Sequence, residues 1–351
     1  MKKKNQNQSL ILTIAALLLF VVGSGIYTTG QQQATQAVNS EPLESMVVDV
    51  PHVGLLQFTA HPSLDAITQG VVDTLADNGY VDGDTMSLDF QNGQGDQSNL
   101  SSMATRFVSN DADLMIAIAT PAALTLANAS ADIPILLGAI TDPENVDLVA
   151  SNEEPGGNIT GVSDMTPIDQ QLKLIREIQP EAKTLGILYS SSEDNSILQG
   201  KMATELAEKY DFETVTRTVS STNDVGQVTQ QLLTEVDAIW IPNDNVVASA
   251  FPSVLEVANQ AGVPIYPAVD MMVAQGGLAT LGLNQYQIGV KTGEMAVALL
   301  NGEIDTATEP IRFADETDLV INYESAELLC IEIPEALQKQ AIDASTLEGE
   351  N

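Results

Sequence analysis

The hydroxyls of Thr59, Thr120 and Thr141, the amides of Gln94 and Asn195, the carboxylates of Asp142, Glu193, Asp244 and Asp270, and the ring of Phe58 share one kind of position. Each stands at the end of a short apolar run or in the polar, turn-rich loop that follows one. Groups of these types hold a small ligand by hydrogen bonds, charge pairing and stacking. Catalytic patterns do not accompany them. The two histidines, His52 and His61, lack the spacing of a His-Glu-x-x-His metal motif. No Gly-x-Ser-x-Gly elbow occurs, and the single cysteine, Cys330, has no activating neighbour and is expected to pack as a small buried hydrophobe. Gly93-Gln94-Gly95 lacks the lysine and hydroxyl residue that complete a phosphate loop, so a tight turn is expected there. These features predict a binder and not an enzyme, with no cofactor and no metal.

The elements that must position these groups read as repeated strand, loop and helix units. Apolar runs at residues 53–58, 114–119, 135–140, 185–189, 238–241 and 265–268 each stop in a turn-rich loop. Buried parallel strands show such near-continuous apolar runs, and open α/β sheets bind ligands beyond the carboxyl ends of their strands. Leu64, Ile67, Val71 and Leu75 recur at spacings of three and four, which predicts an amphipathic helix over 62–78 with Gly79 as its stop. Residues 85–90 predict a second strand, and Leu100, Met103 and Phe107 mark the inner face of a helix after it. Further helices are expected at 121–130, 169–178, 196–210, 225–233, 246–261 and 288–300, with strands at 278–283 and 319–322. Residues 159–166 read as a connection, and Trp240 as core. The runs fall into a group before Asn158 and a group after Pro180. The fold class expected is α/β: two doubly wound, Rossmann-like lobes with a ligand cleft between them.

Length and charge agree with a two-lobed binder. The chain has 351 residues, 44% of them hydrophobic, enough for two cores. Its 13 basic and 48 acidic residues give a net charge of −35, which excludes a general attraction to nucleic acid or anionic lipid. Lys2, Lys3 and Lys4 precede an uncharged apolar run from Leu10 to Ile26. Positive charge stays on the cytoplasmic side, so 1–9 is expected inside, 10–27 as a transmembrane anchor or signal segment, and 28–50 as a flexible tether. The remainder is expected on the extracellular face of the cell membrane, or secreted if the segment is cleaved.

Six stretches of four to seven residues then carry a resemblance. Val53-Gly54-Leu55-Leu56-Gln57-Phe58, Gly79-Tyr80-Val81-Asp82-Gly83, Phe90-Gln91-Asn92-Gly93-Gln94-Gly95-Asp96, Asn158-Ile159-Thr160-Gly161-Val162-Ser163-Asp164, Ser192-Glu193-Asp194-Asn195-Ser196 and Pro242-Asn243-Asp244-Asn245 resemble the ABC transporter substrate-binding family of the tryptophan and aromatic amino acid type. The likeness spans about residues 51–325. It implies a type I periplasmic-binding-protein fold that closes on an amino acid, the best candidates being tryptophan and phenylalanine, and presents it to an ABC permease and its ATPase subunits. It also implies repeated crossing between lobes: 51–162 with 283–305 as the first, 163–282 with 306–330 as the second, and 331–351 as a C-terminal tail. The family's common lipid-attachment cysteine is missing, and a helical anchor takes its place. A membrane-anchored solute sensor reporting to a partner receptor is the alternative of a different class.

An amino acid is a zwitterion, and burying it requires an acid for the ammonium and donors for the carboxylate. Thr59, Thr120 or Thr141 with helix N-termini would serve the carboxylate. Glu193, Asp244 and Asp270 would serve the ammonium. Asp142 and Asp244 are also suited to capping turns and helices. Phe58 and Tyr286 suit either ring stacking or core packing, and His61 either an exposed turn or ligand contact. Other amino acids, purine-like rings and short peptides stay open as ligands.

Overall fold

The computed structural model describes residues 50–314 and 316–349. The basic N-terminus, the anchor and most of the tether expected from the sequence lie outside the described residues. The first lobe opens with strand β1 (His52–Gln57), helix α1 (Pro62–Asp77), β2 (Ser87–Asn92), α2 (Gln97–Ser109), β3 (Leu114–Ile118), α3 (Thr120–Ala129), β4 (Ile135–Gly138) and β5 (Ile159–Ser163). All pair in parallel in the order β5-β4-β3-β1-β2, so every carboxyl end meets the same edge. Burial explains the apolar runs: all residues of β3 and β4 are buried, with helices on both faces. Residues 159–166, read as a connection, are in large part this fifth strand, since Ile159 and Val162 are buried and Ile135–Gly138 pairs along it.

The second lobe follows with α4 (Ile168–Ile178), β6 (Thr184–Ser190), α5 (Asp194–Ala207), β7 (Glu213–Val219), α6 (Val225–Leu232), β8 (Ala238–Ile241), α7 (Asn245–Ser249), α8 (Phe251–Ala261), β9 (Ile265–Pro267), α9 (Asp270–Ala274) and β10 (Ala279–Gly282). Its four-stranded parallel sheet runs β7-β6-β8-β9. Trp240 is fully buried on β8, with its indole N–H donating to Gln171 Oε1 at 3.1 Å. Gln171 in turn donates to the carbonyls of Ala268 and Leu281, so one buried amide ties α4 to three neighbouring segments.

The chain then returns. Helix α10 (Gln285–Leu300) lies against α1, and β11 (Arg312–Phe313) adds to β5 as the outermost strand of the first sheet. Leu283, Ile288, Met295, Ala296 and Ile311 share the core of the first lobe. The first lobe's second piece therefore runs to about Phe313 and not to 305, because Arg312 and Phe313 stand in parallel register with Val162 and Ser163. Strand β12 (Asp318–Ile321) goes back to pair antiparallel with β10. Helices α11 (Tyr323–Leu328) and α12 (Glu335–Gln338) and strand β13 (Ile342–Asp343) complete the second lobe. Residues 331–349 are thus not a free tail: β13 pairs with β12, and Ile333 and Ala344 are buried. Cys330 is exposed, not buried, in the left-handed turn after α11.

The seam between α1 and α10 holds the returning helix in place. A Cβ at Gly289 would stand 2.1 Å from the Ile67 carbonyl oxygen, and one at Gly70 2.4 Å from that of Tyr286. Backbone meets backbone there, with no side chain that can yield. Gly289→Ala gains helix propensity, yet overpacking of this kind costs ~1–3 kcal/mol. The variant is expected to unfold at lower denaturant than the parent; an unchanged midpoint would show that the seam has slack.

Candidate functional site

The carboxyl ends of both parallel sheets meet at one cleft, which with its mouth encloses about 410 Å³. From the first lobe come His61, Ser63 and Leu64 at the start of α1, Ala119 and Thr120 where β3 passes into α3, Ala139 and Thr141 after β4, and Asp164 after β5. From the second come Asn195 in the first turn of α5, the row Asn243, Asp244, Asn245 and Ala248 from β8 into α7, and Val269 and Met272 around α9. Gln285 is contributed by the first turn of α10. The start of each of these helices points its dipole's positive end at the same space.

Two cleft residues are held in unusual backbone conformations. Ala119 has φ 75° and ψ 152°, and Ala139 has φ 61°. Such angles cost a residue with a side chain ~1–3 kcal/mol and collect at functional sites. Here both lie at the carboxyl ends of central strands, where the chain must turn at once to leave room for the cleft.

Hydrogen bonds join the lobes across this space. His61 Nε2 is 3.1 Å from Asn245 Oδ1, and Gln199 Nε2 donates to Thr141 Oγ1 at 3.4 Å. Asn243 Nδ2 donates to the Asp164 carbonyl at 3.0 Å, and Asn195 Nδ2 to the Asn243 carbonyl at 2.8 Å. With their nitrogens so engaged, the side-chain oxygens of Asn195 and Asn243 are buried without protein partners, as is His61 Nδ1.

Two carboxylates, Asp164 and Asp244, line the wall, and among the described residues no lysine or arginine does. Asp164 accepts from Thr141 Oγ1 at 3.0 Å, yet burial pushes its carboxyl up to about 6 against that hydrogen bond and one from Asn243. Asp244 is raised by burial, although its oxygens accept from the Val247 and Ser190 backbone N–H groups. Glu193, directly behind, is pushed up to about 8 by burial and then by the charge of Asp244, while Asn245 and the Val246 N–H hydrogen-bond to it. His61 is held below its ordinary value by burial.

Of the residues expected from the sequence, Thr120, Thr141, Asn195 and Asp244 line the cleft together. The others stand elsewhere. Phe58 is packed in the first core, and Thr59 uses its carbonyl to accept from Gln57. Gln94 is an exposed turn residue with φ 55°, and Asp142 caps the Asn145 N–H. Glu193 is one layer behind the wall, held by Asn245 and Val246. Asp270 is buried at the start of α9, accepting from Met271 N–H, its carboxyl raised to about 7 by burial and, to a lesser extent, by Asp318. Tyr286 is partly exposed and donates to Asp73. His61 is buried and not in an exposed turn. Asp164, Asn243, Asn245, Ser63 and Gln285 line the cleft without being among the residues expected there; Asp164, Asn243 and Asn245 fall inside the segments that carry the family resemblance, and their strand-end positions are the available signal.

This fold and site define a two-lobed binding protein. The chain belongs to the family of ABC transporter substrate binding proteins, whose model matches residues 52–345. It is 35% identical over 316 residues to a tyrosine-binding protein of Clostridioides difficile (strain R20291), covering 90% of this chain and 91% of that one. The crystal structure of the ABC domain of Streptococcus pneumoniae in complex with L-tryptophan matches with a TM-score of 0.81 and 44% identity, covering 84% of this chain and 99% of that chain. A ligand-free, open substrate-binding protein with adhesive properties from Clostridium difficile matches with a TM-score of 0.65 at 38% identity, over 84% and 99% of the two chains. The closer likeness in shape to the tryptophan complex accords with the hydrogen bonds that join the lobes here.

One consequence concerns Glu193. From the ordinary carboxylate range up to about 8, the folded chain holds this proton more tightly than the unfolded chain, so its contribution to stability falls as pH rises through that window. Glu193→Gln is expected to make the decline shallower in denaturant midpoints measured from about pH 5 to about pH 8. A variant with the parent's slope would place the ionisation elsewhere.

Proposed function

We propose that this chain is the solute-capturing component of an ABC importer and that its ligand is a free amino acid with an aromatic side chain. The observation that carries the reading is a buried carboxylate, Asp164, in a cleft wall to which no lysine or arginine among the described residues contributes. A buried charge needs a partner, and a ligand ammonium supplies one. The amide nitrogens of Asn195 and Asn243 are chained through the Asn243 carbonyl to the Asp164 carbonyl, and their unpartnered side-chain oxygens give the ammonium further acceptors. The ligand carboxylate fits the opposite chemistry, the hydroxyls of Ser63 and Thr120 at the first turns of α1 and α3. Leu64, Ala248, Val269 and Met272 offer an apolar wall to a side chain, with methionine sulfur suited to a ring. The aromatic class is supported by likeness to the tyrosine-binding protein and to the tryptophan complex. In this reading the N-terminal segment holds the protein at the outer face of the membrane, beside a permease and its ATPase subunits.

Calorimetric titration with tryptophan, tyrosine, phenylalanine and leucine tests the proposal. An aromatic member is expected to bind near ~1 μM, about −8 kcal/mol, and leucine far more weakly. Asp164→Asn should weaken that binding by on the order of 10²-fold, as expected for losing one partner of a buried charge pair. Because Asp164 pairs with an ammonium only when ionised, parental affinity should be full above about 6 and fall as pH drops below it. Equal affinity for leucine, or an Asp164→Asn variant that binds like the parent, would sink the reading.

A further inference from the structure

We propose that His61 selects for ligands whose side chain carries an N–H or O–H donor, so that tryptophan or tyrosine is favoured over a ring without one. This rests on the amino-acid reading above and adds to it the chemistry of the side-chain end. His61 sits in the N-cap position of α1, buried in the cleft wall, with Nδ1 lacking a protein partner.

The tautomer follows from its neighbours. Asn245 donates its amide N–H to Glu193 Oε2, and Glu193 is itself fixed by the Val246 N–H at 2.9 Å. Charged or protonated, Glu193 keeps an acceptor oxygen for that amide. Asn245 therefore turns Oδ1 toward the first lobe, where His61 Nε2 stands 3.1 Å away. Nε2 then carries the hydrogen and Nδ1 keeps its lone pair. Burial holds the ring neutral, which preserves that lone pair at neutral pH.

The other unpartnered acceptors of the wall belong to a different set. Asn195 and Asn243 are chained to Asp164, whereas the His61 ring is joined to Asn245, which is held in turn by Glu193. The ammonium takes the first set, and His61 Nδ1 is left for a donor elsewhere on the ligand. A ring without a donor would fill the cleft, exclude water and leave Nδ1 unsatisfied, and sites of this type reject such analogues strongly.

The test is calorimetry on the full chain with two matched pairs: tyrosine with phenylalanine, and tryptophan with benzothienylalanine, in which sulfur replaces the indole N–H. The parent should favour the donor-bearing member of its preferred pair by roughly tenfold or more. His61→Leu should weaken all ligands through loss of the lobe-bridging contact and bring the ratio within about threefold, whereas His61→Gln, which keeps an acceptor, should retain a larger ratio. A parent that binds both members of each pair equally overturns the proposal without mutagenesis, and so does a His61→Leu protein with the parental ratio. Failure of all four compounds to bind the parent would instead bring down the amino-acid reading, and this inference with it.

Discussion

Acid buried without base is the constraint around which this molecule is organised. Asp164 and Asp244 converge where the two sheets point their carboxyl ends, with Glu193 one layer behind, and among the described residues no lysine or arginine lines that wall. Backbone N–H groups and an amide hold Asp244 and Glu193 in place, yet burial still raises both carboxyls. Asp164 is left with Thr141 and Asn243, too little to keep its carboxyl in the ordinary range. The deficit is local and the helix N-termini around it are electropositive, so the cleft has opposite demands at its two ends. A zwitterion meets both at once.

Closure follows the same logic. The contacts joining the lobes, from His61 to Asn245, Gln199 to Thr141 and Asn243 to Asp164, are neutral hydrogen bonds. Each contributes only ~0.5–1.5 kcal/mol net, because water satisfies the same groups when the cleft is open. They set the geometry of the closed form and leave its population sensitive to what fills the cleft. Asn245 serves twice, capturing His61 from across the gap while its own orientation is fixed from behind by Glu193.

Much of the fold was readable because parallel strands buried on both faces have to be apolar from end to end. Runs such as 114–119 and 135–140 therefore announced β3 and β4, and the polar residues just after them located the cleft. Strand β5 was harder, since Ile159-Thr160-Gly161-Val162-Ser163 mixes polar and apolar residues; Thr160 is buried with its hydroxyl bonded to the Glu309 carbonyl, a partner 149 residues away. The short β11 pairing was hidden for the same reason, its partner being distant in sequence. Within the site, hydroxyls and amides at strand ends were identifiable by type, but which acid faces the cleft was not. Asp244, Glu193 and Asp270 look alike in sequence, and only the third dimension shows that one lines the wall, one braces it from behind and one is buried at the base of α9.

The first sheet contains β5 and β11, strands separated by most of the second lobe. During synthesis, then, the lobe that starts the chain cannot be finished until almost all of the protein has left the ribosome. Helix α1 must wait with an exposed seam at Gly70 for α10 to arrive, more than two hundred residues later. Contacts this remote in sequence close slowly, so the nascent protein spends its vulnerable interval with an incomplete first lobe.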